Sequence, residues 1–347
     1  MFKKTMVIVF AVLLSLSFLA GTVFATGQQG GPKGPMTPAA QIQAPSGKTL
    51  LSLPVDQVSP KTLRIAAIMV QNNPFGVAVL QGQNFAKQIL ADRNCIVDPL
   101  SVPDFDAQKW TSVIDNCIAS GYNAICAFGV SDALQPVIKR AADAGILVYL
   151  FNSQLSEPRN HVAFYGQGGV DGGRQCGEAL AKLMNNSGKY AIITGDFAAI
   201  GHEQRRTGAR EVLDKIPGIK LVGEVMNNDK AEEAYNHAAN FITANPDLKG
   251  IYVTAGGPSG AAKAVEDAGM KGKIFVVCHD VLAESAPYVG SGTISACLDQ
   301  DPFNQGYQCV VDAFNQLMTG KKPPAETYYK GVMATPQTVK QLFPELF

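Results

Sequence analysis

Residues 64–82, RIAAIMVQNNPFGVAVLQG, combine the pattern of a buried strand with that of a helix. The apolar run Ile65–Val70 is typical of a strand covered on both faces, and an amphipathic helical pattern begins at Val77. Ligands of open α/β sheets bind outside the carboxyl ends of the strands, so the intervening turn predicts a binding site. Its asparagines suit hydroxyls and its Phe75 offers an apolar face. The turn therefore favours a polar, uncharged small molecule.

The first 25 residues have the pattern of a secretion signal. Two lysines precede the apolar run Met6–Ala20, and Val23-Phe24-Ala25 predicts cleavage after Ala25. Residues 5–25 are about long enough to span a bilayer, so an uncleaved signal anchor remains an alternative. We expect the mature chain to be periplasmic.

Residues 26–60 are rich in Gly, Pro, Gln and Ser. They lack the apolar periodicity needed to bury a core, which predicts a flexible linker. The segment Ser46–Thr49 resembles the end of a phosphate loop, but the upstream glycine is missing and no strand or helix is expected around it.

Charge and motif content argue against nucleic acid, metals and cofactors. The chain has 29 acidic side chains and, once the two lysines of the signal are removed, 27 basic ones. Nucleic acid would require a basic field. No cofactor or metal is expected, because the four histidines show no metal-ligand spacing and no complete dinucleotide motif occurs.

Seven cysteines follow the signal, without any CxxC pair. Most are expected to be small buried hydrophobic residues. One or two disulfides remain an alternative in an oxidising compartment, with Cys95–Cys117 as the first candidate pair.

From Lys61 onward, ten apolar runs alternate with helical patterns, from Arg64–Val70 to Ile294–Leu298. Such alternation predicts parallel sheets built from βαβ units. Ten strands exceed what one such sheet usually holds, so two α/β lobes are expected. Polar or glycine-rich turns follow the strands of both halves and can converge on a cleft between the lobes.

Five short motifs occur in order along the chain. They are Asn72–Phe75, Gly145–Tyr149, Arg205–Gly208, Val276–Asp280 and Gln300–Pro302. Over Leu63 to Met333 the chain resembles the type I periplasmic sugar-binding proteins, the ribose/galactose-binding group, which shares its core with the ligand domains of LacI-type repressors.

The resemblance implies an α/β fold of two doubly wound parallel-sheet lobes, joined by three hinge crossovers near Gly166, Gln300 and Tyr328. The lobes would close on a monosaccharide-like or polyol ligand, and the closed form would dock on a membrane ABC permease. A monomer without enzymatic activity is expected. The implied boundaries are 61–165 plus 301–328 for the N-terminal lobe and 166–300 plus 329–347 for the C-terminal lobe.

The resemblance also assigns candidate ligand contacts. Asp280 can accept from two hydroxyls, and Arg205 can donate to oxygens as a fork. Gln300 offers both polarities at a hinge. The full set is Asn73, Phe75 and Asn152 in the first lobe, Arg205, Asn228 and Asp280 in the second, and Gln300 between them.

This chain departs from the usual pattern of the group at several of these positions. Asn152-Ser153 stands where many sugar binders carry Asp-Arg, and Gly76 replaces a second phenylalanine. Asn228 occupies the position of a second-lobe aromatic residue. The pocket has thereby lost charge and stacking surface, which makes a plain ribose or glucose ligand doubtful. Candidates to restore an aromatic wall are Phe151, Tyr165 and Phe197.

Other functions find less support. The linker motivates a sensory binding protein that presents its closed form to a chemoreceptor or a histidine kinase. An exported enzyme is a further alternative, but Gly257–Gly260 only partly matches a nucleophile elbow and no acid–base constellation accompanies it. A DNA-binding repressor conflicts with the export signal and with the missing helix-turn-helix pattern.

Overall fold

Two mainly parallel sheets organise the residues that the structure describes, which are 35–71 and 73–347 of this computed structural model. The predicted signal peptide over residues 1–25, residues 26–34 of the predicted linker, and Asn72 lie outside the described residues. The strands are β1 Leu63–Val70, β2 Cys95–Val102, β3 Ala124–Phe128, β4 Leu147–Phe151, β5 Ala163–Gly166, β6 Gly188–Thr194, β7 Ile219–Met226, β8 Leu248–Val253, β9 Phe275–His279, β10 Ile294–Asp299, β11 Glu326–Tyr328 and β12 Val332–Ala334.

Helices cover both faces of each sheet. None of those within the described ranges is long and apolar enough to cross a bilayer. The helices are α1 Pro74–Leu90, α2 Ala107–Ala119, α3 Gln135–Asp143, α4 Gly169–Leu183, α5 Ile200–Leu213, α6 Ala231–Ala244, α7 Pro258–Asp267, α8 Ala286–Ser291, α9 Pro302–Thr319 and α10 Val339–Leu342.

The strand order is equivalent in the two sheets. The first sheet runs β11-β5-β4-β3-β1-β2 and the second β12-β10-β9-β8-β6-β7. Of the strand pairs within the described residues, only β10 and β12 are antiparallel. In each sheet the order reverses beside its first strand, β1 or β6, and a crevice opens there at the carboxyl ends. The turns after β1, β3, β6 and β8 therefore lie where a ligand can bind.

The chain passes between the sheets three times. It leaves the first sheet after β5, returns after β10 and crosses again between β11 and β12. Helix α9 follows β10 and packs Phe303 and Phe314 into the core of the first sheet. We call the first sheet with its helices the first lobe, and the second sheet with its helices the second lobe. The predicted α/β fold class is confirmed.

The strand–turn–helix unit predicted from residues 64–82 is present. Strand β1 is fully buried at Ile65 and Ile68. Helix α1 begins at Pro74 and not at Val77, because Asn73 caps it: the backbone N–H of Gly76 donates to Asn73 Oδ1 at 3.2 Å. Proline fits the first helical position, where an N–H is not needed.

Residues 37–59, which we call the strap, are packed against the first lobe. The prediction of a flexible linker is therefore wrong over this range. The backbone N–H of Val55 donates to Asn315 Oδ1 (2.9 Å), and Asn304 Nδ2 donates to the carbonyl of Thr49 (2.8 Å). Arg93, fully buried, donates to the carbonyl of Thr37 (2.7 Å). Polar side chains hold the strap through its backbone, which requires no apolar periodicity.

All seven cysteines are buried and carry free thiols. Their expected role as small buried hydrophobic residues is confirmed, and the candidate pair Cys95–Cys117 is not bonded. Burial raises the pKa of Cys95 to about 12 and that of Cys117 to about 11. Both thiols are therefore protonated and unreactive at neutral pH.

Candidate ligand-binding site

A small cavity of about 30 Å³ lies between the two lobes, beside the hinge. Six of the seven predicted site residues line it. The first lobe lines it with Asn73, Pro74, Phe75, Phe105, Phe128 and Asn152, the second with His202, Arg205, Asp229, Ala255, Gly256, Pro258, His279, Asp280, Leu282 and Glu284, and the hinge with Gln300.

A chain of hydrogen bonds runs through the hinge from one lobe to the other. Asn152 Nδ2 donates to Gln300 Oε1 at 3.1 Å, and Gln300 Nε2 donates to Asp280 Oδ1 at 2.9 Å. Ser153 Oγ donates to Asn152 Oδ1 at 3.1 Å. Gln300 thus uses both ends of its amide, accepting from the first lobe and donating to the second.

Asn152 and Asp280 occupy equivalent positions in the two lobes. Each directly follows the fourth strand of its lobe, β4 or β9, and each has a left-handed backbone with φ of +68°. Asparagine and aspartate tolerate this conformation better than other residues with a side chain, because their short polar groups bond locally. The backbone aims both side chains at the hinge.

Arg205 is buried on α5, with 5 % of its surface exposed. Close contact of α4 with α5 positions it: a Cβ on Gly173 would lie 2.1 Å from the carbonyl oxygen of Arg205. Arg205 Nη1 donates to the carbonyl of Thr254 at 3.0 Å. It forms no ion pair with any carboxylate in the described part of the chain. Arg206 instead pairs with Glu224 at 2.9 Å, away from the cavity.

Asp280 is 6 % exposed, and burial raises the pKa of its carboxyl group. Arg205 and the hydrogen bond from Gln300 act in the opposite direction, whereas the charge of Asp229 adds to the rise. Only Oδ1 of Asp280 receives a hydrogen bond from a described residue. The second oxygen is available to a ligand donor.

Asn228 was predicted as a ligand contact, and the structure corrects this assignment. Its side chain is exposed and donates to Glu233 Oε2 at 2.7 Å, outside the cavity. The next residue, Asp229, lines the cavity instead. Two consecutive left-handed residues turn the chain here, with φ of +51° and +57°, and shift the inward direction by one position.

Asp229 connects the lobes. Its Oδ1 accepts from the backbone N–H of Gly256 at 2.8 Å, and its Oδ2 accepts from Asn73 Nδ2 at 3.2 Å. A Cβ at position 256 would lie 2.8 Å from Asp229 Cβ, so glycine makes room for the carboxylate. The glycines at 256 and 257 are the sequence signal that points to this neighbour.

The aromatic wall consists of Phe75, Phe105 and Phe128, all in the first lobe. The Phe105 and Phe128 rings lie 5.8 Å apart, and those of Phe75 and Phe128 lie 6.3 Å apart. Phe105 also meets His202 of the second lobe edge to face at 5.8 Å. Phe128 ends β3 at the crevice, and this strand-end position could have identified it from sequence.

The three residues expected to restore an aromatic wall do not line the cavity, and this expectation is wrong. Phe151 is fully buried behind Phe128, with ring centroids 5.7 Å apart. Tyr165 is fully buried and donates from its hydroxyl to Asp312 at 2.8 Å. Phe197 lies on the surface, 44 % exposed.

Two histidines and a glutamate complete the polar lining. Burial lowers the pKa of His202 and of His279, so both imidazoles are neutral near pH 7. His202 Nδ1 accepts from the backbone N–H of Asp196 at 3.0 Å. Burial, with a smaller contribution from Asp229, raises the pKa of Glu284, whose Oε1 is buried and receives no hydrogen bond from a described residue. Within the described ranges, no group of three potential metal ligands occurs.

Comparisons with known proteins agree on one family. A family model described as a periplasmic binding protein domain matches residues 66–322. The D-ribose/D-allose-binding protein of Pseudomonas aeruginosa is 30% identical over 80% of this chain and 88% of its own length. A D-apiose import binding protein of Paraburkholderia graminis is 25% identical over 72% of this chain and 79% of its own length.

Among solved structures, an ABC transporter periplasmic solute binding protein from Actinobacillus succinogenes with bound D-allose superposes with a TM-score of 0.73. It is 24% identical, and the match covers 81% of this chain and 100% of that chain. This likeness concerns the fold.

Proposed function

Because the chain belongs to the periplasmic binding protein family, we propose that it captures a sugar-like or polyol molecule between its lobes and delivers it to an ABC importer. The hydrogen-bond chain from Asn152 through Gln300 to Asp280 carries the proposal. It joins both lobes at the hinge and consists of two amides, which bond hydroxyls in either direction, and a carboxylate, which accepts from them. Relatives named for D-ribose, D-allose and D-apiose support the same ligand class.

We propose Asn73, Phe75, Asn152, Arg205, Asp280 and Gln300 as ligand contacts, with Asp229, Phe105 and Phe128 added to them. The amides and charged groups would bond the hydroxyls of the ligand. The phenylalanine rings would stack on its apolar face, as aromatic side chains do on other apolar surfaces.

Capture requires the lobes to move. The bonds from Asn73 to Asp229 and from Asn152 to Gln300 cross the cavity and leave little free space between the lobes. A ligand would enter when the bonds between Asn73 and Asp229 and between Asn152 and Gln300 open. Its hydroxyls would then replace these bonds as the lobes close, which shifts an open–closed equilibrium.

Export and association follow the same proposal. We propose cleavage after Ala25 and release of a periplasmic monomer with the lobe boundaries expected from sequence. A sensory role loses its motivation, because the strap is packed on the first lobe and does not serve as a long free tether.

Native mass spectrometry of the purified full-length export product would test the proposal. We expect a retained small molecule, and calorimetry with a panel of sugars, polyols and nucleosides should give saturable binding. Turnover of a bound compound, or silence across the whole panel, would contradict it. The variant Asn228→Ala is the matched control, because this side chain lies outside the cavity and its loss should leave binding unchanged.

A further inference from the structure

The charges that line the cavity do not balance. Three carboxylates line it, those of Asp229, Asp280 and Glu284, against the single cation of Arg205. The two histidines are neutral, and no lysine reaches the cavity among the residues that the structure describes. The formal charge of the lining is therefore two negative, and a neutral ligand would leave this charge uncompensated.

The protein compensates this charge only in part. Asp229 is held by neutral donors, the backbone of Gly256 and the amide of Asn73. In the described part of the chain none of the three carboxylates forms an ion pair. Buried carboxylates without a cation are costly, and the raised pKa values of Asp280 and Glu284 reflect that cost.

Two observations indicate which ligand chemistry would compensate the charge. Asp280 is 6 % exposed, and of its two carboxylate oxygens only Oδ1 receives a hydrogen bond from a described residue. The buried Oε1 of Glu284 also receives none from a described residue. The first lobe lines the same cavity with the rings of Phe75, Phe105 and Phe128, and the faces of aromatic rings attract cations. Carboxylates and aromatic rings that line one cavity both favour an alkylammonium group.

We propose that the ligand carries a basic nitrogen, as an amino sugar or an aminopolyol does, with its ammonium group between the carboxylates of the second lobe and the phenylalanine wall of the first. This inference rests on the proposed function and narrows its ligand class. The hydroxyls of the ligand would use Arg205, Asn152 and Gln300. The ammonium would bring the cavity closer to neutrality.

Matched pairs of probes test the inference by calorimetry and thermal shift on the mature protein. The pairs are D-glucosamine with D-glucose, and 1-amino-1-deoxy-D-sorbitol with D-sorbitol, with N-acetyl-D-glucosamine as the uncharged control. We expect the amine to bind at least about tenfold more tightly than its neutral partner in at least one pair. Neutral members that bind as well as or better than the amines in every pair overturn the inference and leave the proposed function standing. Silence of every probe overturns the inference, and only silence across the whole panel of sugars, polyols and nucleosides overturns the proposed function as well.

Two variants locate the effect. Glu284→Gln and Asp229→Asn each remove one charge with little change of shape, and each should reduce the ratio of amine to neutral affinity about tenfold. Glu233→Gln is the matched control, because this carboxylate is outside the cavity and pairs with Lys230 at 2.8 Å. An amine preference that is unchanged in both cavity variants contradicts the inference even where the amine binds.

Discussion

The two lobes share one strand order but bring different chemistry to the cavity. The first lobe contributes phenylalanine rings and amides, and the second contributes every ionisable group of the lining. Asn152 and Asp280 show the difference most directly, since they occupy equivalent positions with the same φ of +68°. The shared fold therefore fixes where a side chain points, and the residue type at that point decides whether it carries charge.

Gln300 is the residue that both lobes require. Its carbonyl end accepts from Asn152 and its amino end donates to Asp280. A glutamate could not donate to Asp280, and a lysine could not accept from Asn152. An amide at the hinge can therefore bond both to the uncharged side chains with which the first lobe lines the cavity and to the carboxylates of the second lobe.

Removing a charge from the second lobe should have the largest effect. We expect Arg205→Ala and Asp280→Ala each to weaken ligand binding at least about a hundredfold, roughly 3 kcal/mol, because each buried charged group loses its bonds to the ligand. Calorimetry gives the affinity, and circular dichroism verifies folding. Unchanged affinity in both folded variants would refute the site.

The pH dependence of stability should also originate in the second lobe. Burial and the charge of Asp280 raise the pKa of Asp299 to about 7, above the unfolded value of about 3.9. Its stabilising contribution is complete below the unfolded pKa and is lost as pH rises through about 7. When the pH falls from about 8 to about 6, the free energy of unfolding of the wild type should rise by about 1.4 kcal/mol relative to that of Asp299→Asn.

Urea unfolding at the two pH values measures that difference. The buried histidines have lowered pKa values and act in the opposite direction, but they are common to both proteins and cancel in the comparison. A constant difference between wild type and variant would show that the carboxyl group of Asp299 does not titrate in this range.

Removing a ring from the first lobe should have a smaller effect. We expect Phe105→Leu to weaken ligand binding about fivefold, roughly 1 kcal/mol, because aromatic contacts contribute about that much beyond buried area. Phe197→Leu is the control, since this ring is exposed on the surface. Equal losses in both variants would argue against an aromatic wall in the cavity.

The strap is a further difference between the lobes, because it packs mainly on the first. Asn315 accepts from the backbone of Val55 and donates to the carbonyl of Leu53 at 3.0 Å. We expect Asn315→Ala to lower the free energy of unfolding by about 0.5–1 kcal/mol and to expose the strap to limited proteolysis. Lys322→Ala, an exposed residue beyond α9, should change neither.

Patterns with a clear period were predictable. All ten expected strands are present, and β3 and β4 match their expected bounds, because long buried runs have a strong signal. The strands β11 and β12 were not anticipated, since three residues show no period. The prediction of a flexible linker over the strap was wrong for a related reason. Polar side chains of α9, which is far away in the sequence, hold the strap in place.

The amino-acid sequence by itself determined the two α/β lobes, the strand-end location of the site and six of its lining residues. Those properties depend on local periodicity and on motifs at strand ends. Only the tertiary structure decided that Asp229 and not Asn228 faces the cavity, that Phe105 and Phe128 form the wall, and that the lining is acidic. These depend on side-chain direction across two left-handed residues and on which surfaces of separate lobes meet, and neither is encoded in local spacing.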